Sequence, residues 1–240
     1  VPRDLDLVLH FAVAKVNRFD LAFAANAHGP ANLMEHCDSA RAFYHCSSTA
    51  VYQPVDHEPR KENDLLGDSH RTMPGTPTYS ISKIAGEVLV QHTSQRIGKP
   101  TVIARLNVPY GDTYGWPLFH LMMMEHGMAI PVHVNAPTQY SPIHSDDIVA
   151  SIPTYLAQAS VGGTRLNLGG EDVASIEDWC TLMGQWTGLE PRFEPTTNCL
   201  ESIIPDLTRQ HEVGFRCSVN WQDGFHRMVE TSRPELLKEA

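Results

Sequence analysis

The 240-residue sequence is short of basic residues: 18 Lys and Arg stand against 28 Asp and Glu, a formal net charge of −10. It contains no Lys/Arg-rich run, so nucleic acid is not an expected partner. It has no apolar stretch long enough to cross a bilayer, so no membrane partner is expected either. Cysteine is sparse. Cys37, Cys46, Cys180, Cys199 and Cys217 are odd in number and nowhere spaced as CxxC, which argues against a disulfide framework and for a reduced, cytoplasmic protein. Thirteen histidines include no HExxH pattern, so no metal site is expected. No initiator Met and no signal peptide open the chain. Val1-Pro2-Arg3 leads almost at once into the apolar run Leu5–Val13, as if the sequence began within a domain.

Hydrophobic residues make up 42% and charged residues 19%, an ordinary globular balance with material for a sizeable core. Leu5–Phe11 is short, apolar and not helically periodic, which predicts a buried strand. Phe19 to Cys37 predicts a helix, interrupted by Gly29-Pro30. Ala42–Ser47 predicts a second strand, running into Ser47-Ser48-Thr49. Pro54 to Pro77, rich in Pro, Gly and acids, predicts a long surface loop. Tyr79 to Ile97 predicts a helix stopped by Gly98-Lys99-Pro100. Thr101–Leu106 predicts a third strand. Helices are then expected at Pro117–Gly127, Ser145–Ala159, Ser175–Thr187 and Trp221–Val229, with a strand at Arg165–Leu168. Ser175 and Asp178 have the spacing of a capping box.

Strands that alternate with helices predict an α/β fold with a doubly wound parallel sheet. Ligands on such sheets bind beyond the carboxyl ends of the strands. The residues to examine therefore follow the strands: Ala12–Lys15, Ser47–Thr49 and Asn107. Tyr79 and Lys83, four apart on one helix, share a face. A free phenol titrates near ~10 and is a poor base at neutral pH. A nearby ammonium favours the phenolate, which can then remove a hydroxyl proton as hydride leaves the same carbon. Ser48 is placed to donate a hydrogen bond to the substrate oxygen. Tyr-x-x-x-Lys alone is a weak motif, and an ordinary half-buried Tyr79 is the plain alternative. Its place after a strand ending Ser-Ser-Thr, before a further strand, strengthens the catalytic reading.

Several segments together resemble the extended short-chain dehydrogenases, the NAD-dependent epimerase/dehydratase family. His10-Phe11-Ala12-Val13-Ala14-Lys15 resembles the His-Phe-Ala-x-x-Lys after the fourth strand of UDP-galactose 4-epimerases. Asn26-Ala27-His28-Gly29 resembles their Asn-x-x-Gly, and Ser47-Ser48-Thr49-Ala50-Val51-Tyr52 their Ser-Ser/Thr-x-x-Val-Tyr-Gly. Ile143-His144-Ser145-Asp146-Asp147, Leu166-Asn167-Leu168-Gly169-Gly170, Asp206-Leu207-Thr208, Val213-Gly214-Phe215 and Asp223-Gly224 resemble later landmarks. The resemblance covers essentially the whole chain. It implies a partial Rossmann-type NAD(P)-binding domain over 1–112 and 141–170, and a smaller α/β substrate domain over 113–140 and 171–240. It implies NAD or NADP held by Phe11, Ala12, Val13, Lys15, Asn26, Ser47, Tyr79 and Lys83. Ser48, Tyr79 and Lys83 would be catalytic, and Ser48, Thr49, Asn107 and Tyr140 would meet a small-molecule substrate, a sugar or nucleotide sugar. It also implies a homodimer formed through the helices Phe19–Cys37 and Tyr79–Ile97.

The sequence departs from the family pattern in three places. The Gly-rich phosphate loop and the acidic ribose reader are not found in this sequence, since the resemblance begins at the fourth strand; the resemblance implies that roughly 60 residues, about two βαβ units, are missing. The chain is thus expected to be a fragment of a longer enzyme, with Leu5–Phe11 as a bare sheet edge. Tyr140 stands where nucleotide-sugar enzymes usually carry an Arg that grips the diphosphate. Gln53-Pro54 replaces the Gly after Val-Tyr, and Asn107 falls one place early. Two alternatives remain open: a dehydrogenase or reductase of a non-nucleotide alcohol or ketone, and a non-catalytic relative. Met122-Met123-Met124 and Trp116 fit either core packing or a substrate pocket. His144, Asp146 and Asp147 fit helix capping better than metal ligation.

Overall fold

The computed structural model describes residues 4–238; Val1-Pro2-Arg3 and the two outermost C-terminal residues lie outside them. Strand β1 (Leu7–His10) leads into helix α1 (Phe19–Phe23), one π-helical stretch (Ala24–His28) and helix α2 (Gly29–His36). One continuous helix was expected here, and Pro30 explains the difference. It has no N–H to return to the carbonyl of Asn26, and its ring would crowd that carbonyl, so the turn widens. Asn26 Oxygen of the backbone then faces Gly86 of helix α3 (Tyr79–Ile97), where a Cβ would lie 2.4 Å from it. Only glycine permits that approach.

Strand β2 (Ala42–Ser48) precedes α3, and β3 (Thr101–Leu106) follows it. Gly98, at φ 68°, ends α3 in a left-handed cap, as its position predicts. Short strands β4 (Pro109–Gly111) and β5 (Tyr114–Gly115) lead to helix α4 (Trp116–Glu125). Strands β6 (Ala129–His133), β7 (Gln139–Tyr140) and β8 (Ile143–His144) precede helix α5 (Ser145–Leu156) and strand β9 (Thr164–Leu168). Strand β10 (Ala174–Ser175), helix α6 (Ile176–Thr187), strand β11 (Arg192–Thr196), helix α7 (Thr208–Glu212) and helix α8 (Trp221–Ser232) complete the order. The Ser175–Asp178 capping box forms in both directions at 2.9 Å.

The main sheet is parallel throughout, in the order β1-β2-β3-β9. Val102 and Ala104 pack with α5 residues Ile148 and Tyr155 on one face; Ile103 packs with Met34 and Val90 on the other. Two apolar layers on a buried parallel sheet account for the continuous apolar run of β3. Strand β1 lies at the edge, and Leu7 and Leu9 are exposed there. A separate apolar core gathers Trp179, Leu121, Met183 and Phe225 from α4, α6 and α8. Beside it, β6 and β11 form a parallel pair that was not anticipated. Pro131 and Pro195 disguise these strands, because proline argues against a central strand but is tolerated in an edge ribbon.

Candidate active site

The loops leaving β1, β2 and β3 open onto one cavity of about 530 Å³. Phe11, Val13 and Lys15 come from the first loop, Ser47–Ala50 from the second and Leu106–Pro109 from the third. The first turns of α3 supply Tyr79 and Lys83, while Trp116, Tyr140, Glu201 and Ile203 complete the wall.

Tyr79 and Ser48 meet through their hydroxyls, so the end of β2 and the start of α3 bring together the expected pair. Ser48 also caps the short turn after β2, its Oγ accepting from Ala50 N at 3.2 Å. Burial pushes the Tyr79 phenol up to about 12, which the Ser48 hydrogen bond only partly offsets. Lys83, 2% exposed, donates from Nζ to the Cys46 carbonyl at 2.7 Å. Burial lowers its pKa. The expected lowering of the phenol by Lys83 is thus overridden in the protein alone: the ammonium is turned to a carbonyl, and desolvation dominates.

Lys15 reaches the same tyrosine from the β1 loop, with Nζ 5.6 Å from the ring centroid. His70, which the sequence did not single out, packs against the same ring at 4.8 Å between centroids. Its Nδ1 lies 2.9 Å from Ser80 Oγ and 3.1 Å from Ser69 Oγ. Burial lowers its pKa to about 4, so the ring is neutral at physiological pH. His70 sits in the long loop before α3, where neither periodicity nor spacing marks a residue.

Of four further expected ligand contacts, Asn26 and Ala12 stand outside the wall, and Ser47 and Asn107 stand in it with their side chains bonded to protein partners. Asn26 lies outside the cavity wall; its amide donates to Ala14 O (2.8 Å) and accepts from Ala14 N (2.7 Å), clamping the loop that carries Lys15. Ala12 is exposed and also outside the wall, because the extended loop turns it outward. Ser47 remains in the wall, but its hydroxyl donates to Glu87 Oε1 at 2.5 Å. Asn107 is buried, donating to Thr49 Oγ1 (2.7 Å) and Ile203 O (2.9 Å) and accepting from Ser141 N (2.8 Å). Its amide is thereby committed to tying the end of β3 to the segments around Ser141 and Ile203. Thr49 serves the same tie.

Behind Ser47, Arg105 and Glu87 form a buried two-pronged ion pair at 3.0 and 2.7 Å, with a further bond from Arg105 to Glu62 O at 2.9 Å. This ties the long loop to β3 and α3. Among the described residues no group of three or more His, Cys, Asp or Glu is arranged to hold a metal, and no helix is long and apolar enough to cross a membrane.

The family model described as "NAD dependent epimerase/dehydratase family" matches residues 2–169. A trifunctional UDP-glucose 4,6-dehydratase/UDP-4-keto-6-deoxy-D-glucose 3,5-epimerase/UDP-4-keto-L-rhamnose-reductase of Arabidopsis thaliana is 25% identical over 257 residues, covering 98% of this chain. The chain spans 37% of that relative's length. The solved structure of MoeE5 with UDP-glucuronic acid and NAD is 21% identical with a TM-score of 0.80, covering 98% of this chain and 81% of that one. UDP-glucose 4-epimerase of Thermotoga maritima, solved with UDP-glucose, is 18% identical with a TM-score of 0.80, covering 96% and 78%. At these identities the two structures establish the shared Rossmann-type fold.

Proposed function

Given that the chain belongs to the NAD-dependent epimerase/dehydratase family, we propose that it performs nicotinamide-dependent oxidoreduction, of the epimerase or dehydratase kind, on a hydroxyl-bearing, sugar-like substrate. The observation that carries this reading is the meeting of Ser48, Tyr79 and Lys83 at one cavity beyond the strand ends. The MoeE5 structure, solved with NAD, supports NAD as the cofactor.

The residues present fit a nicotinamide. The cavity has the size of a small-molecule site. Phe11 and Val13 offer an apolar wall, and Lys15 and Lys83 offer cations beside Tyr79. When bound, the nicotinamide supplies the hydride acceptor. Ser48 donates to the substrate oxygen and fixes it beside Tyr79 Oη. A phenol held near 12 is neutral at neutral pH and is set to act as an acid, delivering its proton to a carbonyl oxygen. Working as a base requires positive charge near the ring; Lys15 and Lys83 are placed to contribute it. Asn26 acts through the Ala14 backbone, holding the loop that bears Lys15.

The division into a cofactor domain (1–112, 141–170) and a substrate domain (113–140, 171–240) belongs to this proposal, with Asn107 as the tie between them. So does a homodimer, supported by the exposed apolar side chains Phe19 and Leu21 on α1 and Val88 on α3. A reducing cytoplasmic setting belongs to the proposal as well. Titration of NAD into the full-length protein, followed by turnover of wild type and Tyr79→Phe, tests the reading. Absence of NAD binding, or full activity without the phenol, overturns it.

A further inference from the structure

His70 lines the cavity and lies against the Tyr79 ring, and the hydride-transfer chemistry gives it no task. Its hydrogen bonds fix which of its two nitrogens carries the proton. Ser69 Oγ donates its single proton to the Ala50 carbonyl at 3.0 Å. Three short contacts remain: 2.9 Å between Ser69 Oγ and Ser80 Oγ, 2.9 Å from Ser80 Oγ to His70 Nδ1, and 3.1 Å from Ser69 Oγ to the same nitrogen. The Ser80 hydroxyl has one proton, which serves one of its two contacts. A bare Nδ1 would therefore face Ser69 Oγ lone pair to lone pair. An Nδ1–H shared between the two oxygens, with Ser80 donating to Ser69, gives every contact a proton. Burial lowers the pKa of the ring to about 4, so it is neutral, has no second proton, and leaves Nε2 bare.

Nε2 stands across the ring from this cluster. It has no protein partner among the described residues, yet it is not sealed in, as both nitrogens of His45 are. An unpartnered acceptor that keeps an opening, on a residue of the cavity wall, is available to a ligand. Its neighbours in the wall differ from it. The ammonium groups of Lys15 and Lys83 only donate, and the Ser48 and Tyr79 hydroxyls are bonded to each other. We propose that His70 Nε2 accepts a hydrogen bond from a substrate hydroxyl other than the one at which hydride is transferred, so that the site selects compounds bearing at least two hydroxyls. An alcohol with a single hydroxyl commits it at Tyr79 and leaves Nε2 unpaired once water is displaced, which costs about tenfold in affinity. This rests on the hydride-transfer reading of Ser48, Tyr79 and Lys83. It makes His70 a residue of specificity, outside the proton path through Tyr79.

The test is nuclear magnetic resonance of the full-length protein, labelled at the histidine ring nitrogens and loaded with NAD. The His70 signals are those that vanish in His70→Asn, or in His70→Gln if the first variant does not fold. The protein without substrate is expected to show a protonated Nδ1 and a bare Nε2. UDP-glucose is expected to move the Nε2 signal toward its hydrogen-bonded position, while UDP, which lacks the sugar, leaves it in place. A protonated Nε2, an Nε2 signal that UDP-glucose does not move, or one that UDP moves equally, overturns the proposal. Calorimetric titration gives a second measure. His70→Asn, whose amide reaches only the Nδ1 position, is expected to bind UDP-glucose about tenfold more weakly and UDP within about twofold of wild type. His70→Gln, which brings an acceptor oxygen near the Nε2 position, is expected to recover part of the loss. Equal losses for both ligands in His70→Asn make the residue structural only and overturn the proposal. If Nε2 responds as expected but wild type forms no reduced nicotinamide, the hydride-transfer reading fails while the contact of Nε2 with the sugar stands.

Discussion

Two groups of residues that line the cavity, one around Tyr79 and one around Tyr140, differ in how they are built. The Tyr79 group is made by strand ends and the first turns of one long helix. It gathers hydroxyls and two ammonium groups within a few residues of β1, β2 and α3. The Tyr140 group is assembled from residues near 116, 140 and 201, which meet through short strands and irregular chain, and it holds aromatic rings and an acid. In our proposal the first group carries the chemistry, while the second holds Tyr140 at the place where the resemblance leads one to expect an Arg. Held by different elements, the two groups can change independently of each other.

The largest way to break this comparison is at Lys83. Lys83→Met keeps the length of a buried side chain and removes its charge. Turnover is expected to fall by about 10²–10⁴, while stability holds or rises, since burial already opposes the ammonium. Steady-state kinetics together with urea unfolding separate the two effects; equal loss of both would make Lys83 a structural residue only.

Next in size is the ion pair behind Ser47. Glu87→Gln strands the buried Arg105 charge and is expected to cost about 3–5 kcal/mol in urea unfolding. A loss under about 1 kcal/mol would show that the pair does not brace the Tyr79 group.

A smaller and graded effect follows from pH. Burial lowers His10, His70 and His120 to about 4 from the 6.5 of an unfolded histidine. Between these values the unfolded chain binds protons that the folded one refuses, so stability rises with pH through this window and is lost as pH falls from 6.5 to 4. Each site contributes up to about 3 kcal/mol of this loss. Unfolding midpoints across that range measure it, and His70→Phe should flatten the slope. An unchanged slope would contradict a neutral, buried His70.

Legibility in the sequence follows the same divide. The bounds of α3 and β3 were readable because a Gly stop and continuous apolar runs are local signals. That Ser48, Tyr79 and Lys83 line one cavity was readable, because strand ends and a four-residue helical spacing fix where side chains point. His70 was not, since a long loop places residues by tertiary contact. Asn26 was noticed through the resemblance and Asn107 as a residue after a strand, but sequence could not show that their amides are bonded to Ala14, Thr49, Ile203 and Ser141. Tyr140 stood out only as a departure; its partner Glu201 lies about 60 residues away with no motif to link them.

The central claim is that the Tyr79 phenol handles the substrate proton. Full-length wild type and Tyr79→Phe are to be compared for NAD affinity and for single-turnover formation of reduced nicotinamide. The account predicts NAD affinity within a few-fold and a rate lowered by about 10²–10⁴. A Tyr79→Phe enzyme that turns over at the wild-type rate would contradict it.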